Sequence, residues 1–333
     1  MSSRDAASEI LVAAIEGERL SSAEQAFFER EQPAGVTLFK RNISASFAET
    51  KALCEALRSC LALEKAPPVI AIDQEGGRVS RIQSPFPNLG PAEQIGSASN
   101  SIDDLQLLSN YGYVLASSLL GLGINVNFAP VCDVISNSNN PAIGDRSFSS
   151  DPALAADRAE AFLQGMEAAG VKGCLKHFPG QGDAQNDTHE SGAKINASLD
   201  TLEARELVPF KRLIDQCSMV MISHAVFPAL DDRPASLSDK VMQTLLQEEL
   251  GFGGVVVSDD MNMKAIPQDD QSWSEAICDA VYLGADMILV CQGLERCQLA
   301  LDALRRKAAT NENFKSRLEE AALKMMQMRK KLL

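Results

Sequence analysis

The sequence predicts an α/β fold, a single (β/α)8 TIM-type barrel. Eight short apolar or β-branched runs recur along the 333 residues, each followed by a longer stretch with helical spacing. Polar residues gather at the C-terminal ends of these runs, where the loops of a barrel build a pocket.

The runs are residues 10–17 (ILVAAIEG), 35–39 (GVTLF), 68–73 (PVIAID), 124–130 (INVNFAP), 170–178 (GVKGCLKHF), 218–225 (SMVMISHA), 253–260 (GGVVVSDD) and 285–290 (ADMILV). Helices are expected over 46–62, 104–120, 151–169, 201–215, 238–249, 272–283 and 294–308, with a last amphipathic, Lys/Arg-rich helix over about 312–332. Ser46, Ser101, Ser150 and Ser238 stand where an N-cap oxygen accepts the first free amides. A doubly wound open sheet also alternates β and α, but the count of eight favours closure. Neither a low-complexity linker nor an internal repeat divides the chain, so residues 1–333 read as one catalytic barrel domain.

Composition bounds the function. Hydrophobic residues at 45% and charged residues at 23% are globular values, which exclude a disordered chain and allow a large core. A formal charge of −14 repels nucleic-acid backbones and anionic lipid, so neither is an expected partner. The opening MSSRDAASEI lacks a basic segment followed by an apolar one, and no stretch approaches the ~18 apolar residues of a membrane span. A cytoplasmic protein is expected. The eight cysteines lie mostly alone inside apolar runs and read as buried free thiols; without a CxxC pair a thiolate zinc site has little support.

At the strand ends stand Asp73, Asp133, Lys176, His177, His224, Asp259 and Asp260. Any one could cap a helix or pair with a neighbour; together they suggest a polar pocket. All three histidines, 177, 189 and 224, fall at strand ends or in the loop after one. In KHFPGQGDAQNDTHE (176–190) a Gly/Pro turn opens a long loop in which Asp187 and His189 are two apart. A carboxylate so placed can raise the proton affinity of an imidazole and fix its tautomer, as a general acid at neutral pH requires. In DQEGGRVSR (73–81) the Gly76–Gly77 pair allows a tight turn that brings Arg78 and Arg81 back toward the mouth. A purely structural, loop-bridging role suits Arg78 more than Arg81. NPAIGDRSFSSDP (140–152) adds Arg146 beside a Gly turn.

With these residues assembled, the chain resembles glycoside hydrolase family 3, and most closely its single-domain bacterial cytoplasmic β-N-acetylglucosaminidases of peptidoglycan recycling. The resemblance runs from about residue 10 to the C-terminus, through GVTLFKRNI, AIDQEGGRVSRI, NVNFAPVCDV, AIGDRSFSSDP, KHFPGQGDAQNDTH, MISHAVFPALD, PASLS and GFGGVVVSDDMNM. It implies retaining hydrolysis of terminal β-linked N-acetylglucosamine from muropeptides, without cofactor or metal. By the same resemblance Asp259 is the nucleophile, His189 the general acid/base with Asp187 as its partner, and Asp73, Arg81, Arg146, Lys176 and His177 bind the sugar. Asp260 competes with Asp259, but successive strand side chains point to opposite sides.

One departure concerns Gln181, which stands where the family usually has His in KHFPGHGD. Gln cannot titrate near neutrality, so the departure bears on loop positioning more than on the chemical step. A single barrel is expected, without the second domain of the larger β-glucosidases of the family. Rival readings are a β-glucosidase or β-xylosidase of the same family, substrate-assisted hexosaminidase chemistry, a zinc barrel hydrolase, which would want an H-x-H cluster, and a catalytically weak saccharide-binding protein.

Overall fold

The structure, a computed structural model, describes residues 5–61, 66–83, 90–95, 102–137, 139–184 and 192–332. Each of the eight expected runs carries a strand: β1 (Leu11–Ala14), β2 (Gly35–Leu38), β3 (Val69–Ile72), β4 (Val126–Asn127), β5 (Leu175–Phe178), β6 (Met219–Ile222), β7 (Val255–Asp260) and β8 (Met287–Leu289). They form one parallel sheet in the order β4-β3-β2-β1-β8-β7-β6-β5. In a parallel sheet covered by helices a strand is buried on both faces, which explains runs such as VIAI and MVMI with no polar alternation.

The sheet closes. Single parallel bridges, Val126 with Lys172 and Val131 with Lys176, join β4 to β5, and Asn127 N donates to Lys172 O at 2.9 Å. The open-sheet alternative is thereby set aside. β4 is shorter than its apolar run because Pro130 has no amide to give a ladder. β1 begins one residue later than expected, since Ala6–Ile10 is a helix capped by the Asp5 carboxylate on Ser8 N at 2.8 Å.

Helices follow most strands. Phe47–Cys60, Ile102–Leu122, Pro152–Ala168, Asp270–Tyr282, Leu294–Thr310 and Glu312–Arg329 match the expected spans within a few residues. Ser46 caps as expected, and the Ser238 hydroxyl accepts from Val241 N at 3.3 Å. The cap expected of Ser150 is supplied instead by Asp151, whose charged oxygen accepts from Leu154 N at 2.9 Å. Ser101 lies outside the described residues. The expected 201–215 helix is broken into Leu199–Thr201, a wide π-type turn Leu202–Glu206 and Val208–Leu213, because Pro209 cannot donate to the carbonyl a turn earlier. Lys240–Glu249 is likewise wound in the wider π form. The helix Ser22–Glu31 was absent from the expected set; Ser21 and Glu24 form a capping box at its start.

The last helix buries Phe314, Leu318, Ala321, Met325 and Met328, and the buried Arg329 pairs with Glu9 while donating to the carbonyls of Ala66 and Pro67. The end of the chain is thus tied to its first helix. All eight cysteines are free, seven of them buried. Among the described residues no helix is long and apolar enough to cross a membrane.

Candidate active site

Asp73 follows β3 directly, and the chain then turns back as a hairpin, Gln74–Gly76 against Val79–Ser80. The turn needs its glycines: Gly77 has φ +54°, and a Cβ there would stand 2.7 Å from Pro91 Cα. Along this extended stretch Asp73 and Glu75 are two apart and share a side. Both reach Lys176, the second residue of β5, whose Nζ lies 2.8 Å from Asp73 Oδ1 and 2.7 Å from Glu75 Oε1. Arg146, at the end of the tight turn Gly144–Arg146, grips Glu75 through two parallel bonds of 2.8 Å. Arg81 Nη2 lies 3.4 Å from Asp73 Oδ2.

Three cations and two carboxylates therefore interlock where water is largely excluded. A buried charge costs several kcal/mol unless it is paired, so each member depends on the others. Burial works against the charge of Lys176, yet Asp73 and Glu75 outweigh it and hold its pKa above the ordinary value. Burial likewise opposes ionisation of Asp73 and Glu75, but the facing cations prevail and both carboxyls are held below their usual range, Glu75 far below.

His177 follows Lys176 across a cis peptide bond. Its Nδ1 is 2.7 Å from Oδ2 of the fully buried Asp133, which lies beyond β4. Asp133 also accepts the backbone amides of His177 at 3.2 Å and of Gln181 at 2.6 Å. At the end of β7, the Asp260 amide donates to Asp259 Oδ1 at 2.8 Å. The Asp260 carboxylate turns to the amides of Asn262 and Cys291 and to the Asn262 side chain, each at 3.1 Å, and burial raises its pKa. All three of these bonds fall on its Oδ1.

Asp73, Arg81, Arg146, Lys176, His177 and Asp259 line one cavity of about 300 Å³ at the C-terminal ends of the strands. That is the small end of the range for ligand pockets and suits one sugar ring better than a chain. A larger groove of about 550 Å³ between the helices Asp270–Tyr282 and Leu294–Thr310 lies away from these groups. Asp187 and His189 lie outside the described residues.

Other residues from the sequence reading take different places. Arg78 holds Asp145 at 2.8 Å and three carbonyls of residues 141–143, the loop-bridging role expected of it. His224 is fully buried, its Nδ1 2.6 Å from Ser236 Oγ and its Nε2 3.1 Å from Asp260 O; burial lowers its pKa and keeps it neutral in a structural position. Gln181 is buried, and its anchoring to Asp133 and to Asn140 Nδ2 at 2.7 Å uses only its backbone amide and carbonyl. Any residue but proline supplies those atoms, so these two bonds do not require the usual His. Sequence reasoning missed Glu75 as a site residue and left Asp133 without a role. The two-residue spacing from Asp73 was the available signal for Glu75.

The profile described as the N-terminal domain of glycosyl hydrolase family 3 matches residues 7–328. A curated relative from Xylella fastidiosa, named beta-hexosaminidase, is 38% identical over 309 residues, covering 91% of this chain and 88% of its own. A glycoside hydrolase family 3 β-N-acetylglucosaminidase from Paenibacillus superposes with a TM-score of 0.90 at 32% identity; it covers 99% of this chain, which spans 63% of that longer protein. NagZ from Neisseria gonorrhoeae, solved with N-trifluoroacetyl-D-glucosamine, superposes with a TM-score of 0.80 at 30% identity, covering 96% of this chain and 93% of its own.

Proposed function

The chain belongs to glycosyl hydrolase family 3, and from that premise we infer that it is a β-N-acetylglucosaminidase that releases terminal β-linked N-acetylglucosamine from muropeptides in the cytoplasm, in cell-wall recycling. The observation that carries the reading is the convergence of Asp73, Lys176, His177, Arg146 and Asp259 on one sugar-sized cavity. The beta-hexosaminidase relative supports the substrate class.

In this reading Asp259 attacks the anomeric carbon as the bond to the leaving oxygen breaks, and His189 gives that oxygen its proton. Water then attacks the glycosyl-enzyme, His189 takes its proton, and the sugar leaves with its β configuration. The amide of Asp260, at 2.8 Å from Asp259 Oδ1, fixes the nucleophile's rotamer. Asp73 accepts hydrogen bonds from sugar hydroxyls while Lys176 and Arg81 hold its carboxylate and Arg146 holds Glu75, and these cations offer donors to hydroxyl or acetamido oxygens. Asp133 sets the ring of His177 so that Nε2 serves the cavity.

A panel of chromogenic β-glycosides tests the reading, with rapid proton NMR of the first anomer released. The N-acetylglucosaminide should be cleaved fastest, with a β product. Equal rates on glucosides or xylosides would reject the substrate, an α product would reject retention, and sugar binding without turnover would make the protein a saccharide binder.

A further inference from the structure

Glu206 ends the π-type turn Leu202–Glu206 and is fully buried, a carboxyl used by none of the steps above. Its Oε1 accepts from Arg205 Nε at 2.7 Å, and Arg205 Nη2 in turn holds Asp183 at 3.0 Å. Its Oε2 is buried and finds no hydrogen-bond partner among the described residues. Directly against it lies Gly180, with φ +125°; a Cβ there would stand 2.7 Å from Glu206 Cβ and 3.0 Å from Oε2. Only glycine lets the turn rest on this carboxyl. The same turn is held from the other side by Asp133, through Gln181 N at 2.6 Å, and Asp133 is the group that orients His177.

We propose that Glu206 is a positioning residue for the glycosidase reaction, its carboxyl bracing the Gly180 turn against the Asp133–His177 pair. The proposal rests on the assignment of this cavity as the sugar site. Three charged groups bear on Glu206: Arg205 from its own turn, Asp183 from the loop after β5, and Asp133 from beyond β4. Burial pushes the Glu206 carboxyl up to about 7; Arg205 opposes this and the two aspartates reinforce it. The bracing form is therefore the neutral acid, which keeps a proton on the unpartnered side and adds no third negative charge beside Asp133 and Asp183. Ionisation puts a negative charge, only partly offset by Arg205, against the backbone of the turn and loosens the seat of His177.

The experiment compares the wild type with Glu206→Gln, a neutral carboxamide of the same shape, in two measurements. In the first, kcat and KM on an aryl β-N-acetylglucosaminide are followed with pH. The wild type should show KM rising as pH passes about 7, and the variant should lose that rise while keeping comparable activity below it. In the second, thermal unfolding is followed over the same range, independently of turnover. A carboxyl whose folded pKa lies above its unfolded value contributes most at low pH and loses that contribution as pH rises through the folded value. The wild type should therefore fall by a few degrees relative to Glu206→Gln between acid and alkaline pH.

If the N-acetylglucosaminide is not cleaved, the functional assignment fails while the unfolding comparison still reads Glu206. Superimposable KM profiles and a pH-independent difference in Tm would overturn the proposal. Should Glu206→Gln fail to accumulate, Asp183→Asn removes one of the reinforcing charges, and the rise in KM should move to lower pH; an unmoved profile counts against the proposal.

Discussion

Asp133 and His177 meet across the seam where the barrel closes, Oδ2 to Nδ1 at 2.7 Å. One fully buried carboxylate thereby fixes the imidazole, the amide that carries it and the turn that follows. Leaving a buried donor without its acceptor costs about 1–3 kcal/mol. Asp133→Ala should accordingly lower kcat/KM by at least tenfold, mainly through KM if His177 holds the sugar, and Asp133→Asn should recover part of the loss. Steady-state kinetics on protein shown folded by circular dichroism decides the matter. A change confined to stability would deny Asp133 its role in binding.

Glu75 is the hinge of the charge network, shared by Arg146 and Lys176. Glu75→Gln leaves two buried cations short of a partner, and breaking such an arrangement costs about 3–5 kcal/mol. Because the folded carboxyl sits far below its ordinary value, its contribution is complete above the unfolded pKa of about 4.3 and is lost only as pH falls through the folded one. The Tm gap between wild type and Glu75→Gln should be widest near neutrality and narrow in acid. A gap that is constant or grows as pH falls would contradict the ion-pair account.

The barrel was legible because its strands are buried on both faces: VIAI and MVMI admit no polar residue, GVTL only the small Thr37, and their spacing leaves room for a helix each. The polar residues at their ends were legible for the complementary reason, since a charge survives there only by facing the mouth or a partner. What escaped depends on contacts between segments distant in sequence. Glu75 joins Arg146 across 71 positions, and Asp133 joins His177 across 44, so neither link leaves a local pattern. The break at Pro209 and the capping box of Ser21 and Glu24 are local and could have been read; the box lies in a polar segment whose weak periodicity hid the helix.

Asp259 and Asp260 are adjacent, and the family resemblance in the sequence assigns the nucleophile to Asp259. The bonds from Asn262 and Cys291 onto Asp260 favour Asp259 as the nucleophile. A 2-deoxy-2-fluoro or other slow glycosyl donor should leave its sugar on Asp259, located by peptide mass mapping. Asp259→Ala should lose essentially all turnover yet still bind N-acetylglucosamine. Label on Asp260, or an oxazoline released with no labelled peptide, would assign the chemistry elsewhere.

His189 is proposed to protonate the leaving group, with Asp187 sustaining its basicity, on the strength of their D-T-H spacing after the Gly/Pro turn. The turn that precedes these residues in sequence is held at Asp133 through the Gln181 amide. An imidazole of ordinary pKa ~6.5 is partly protonated at neutral pH, and a nearby carboxylate holds more of it in the acid form. The role predicts a dependence on the leaving group. A nitrophenolate departs with little help, whereas a sugar alkoxide must be protonated as the bond breaks. His189→Ala should therefore slow release from a disaccharide far more than from a nitrophenyl glycoside, by a margin of about 10²–10⁴. Asp187→Ala should show the same bias to a smaller degree. Equal losses on both substrates would mean that His189 only shapes the loop and that another group carries the proton.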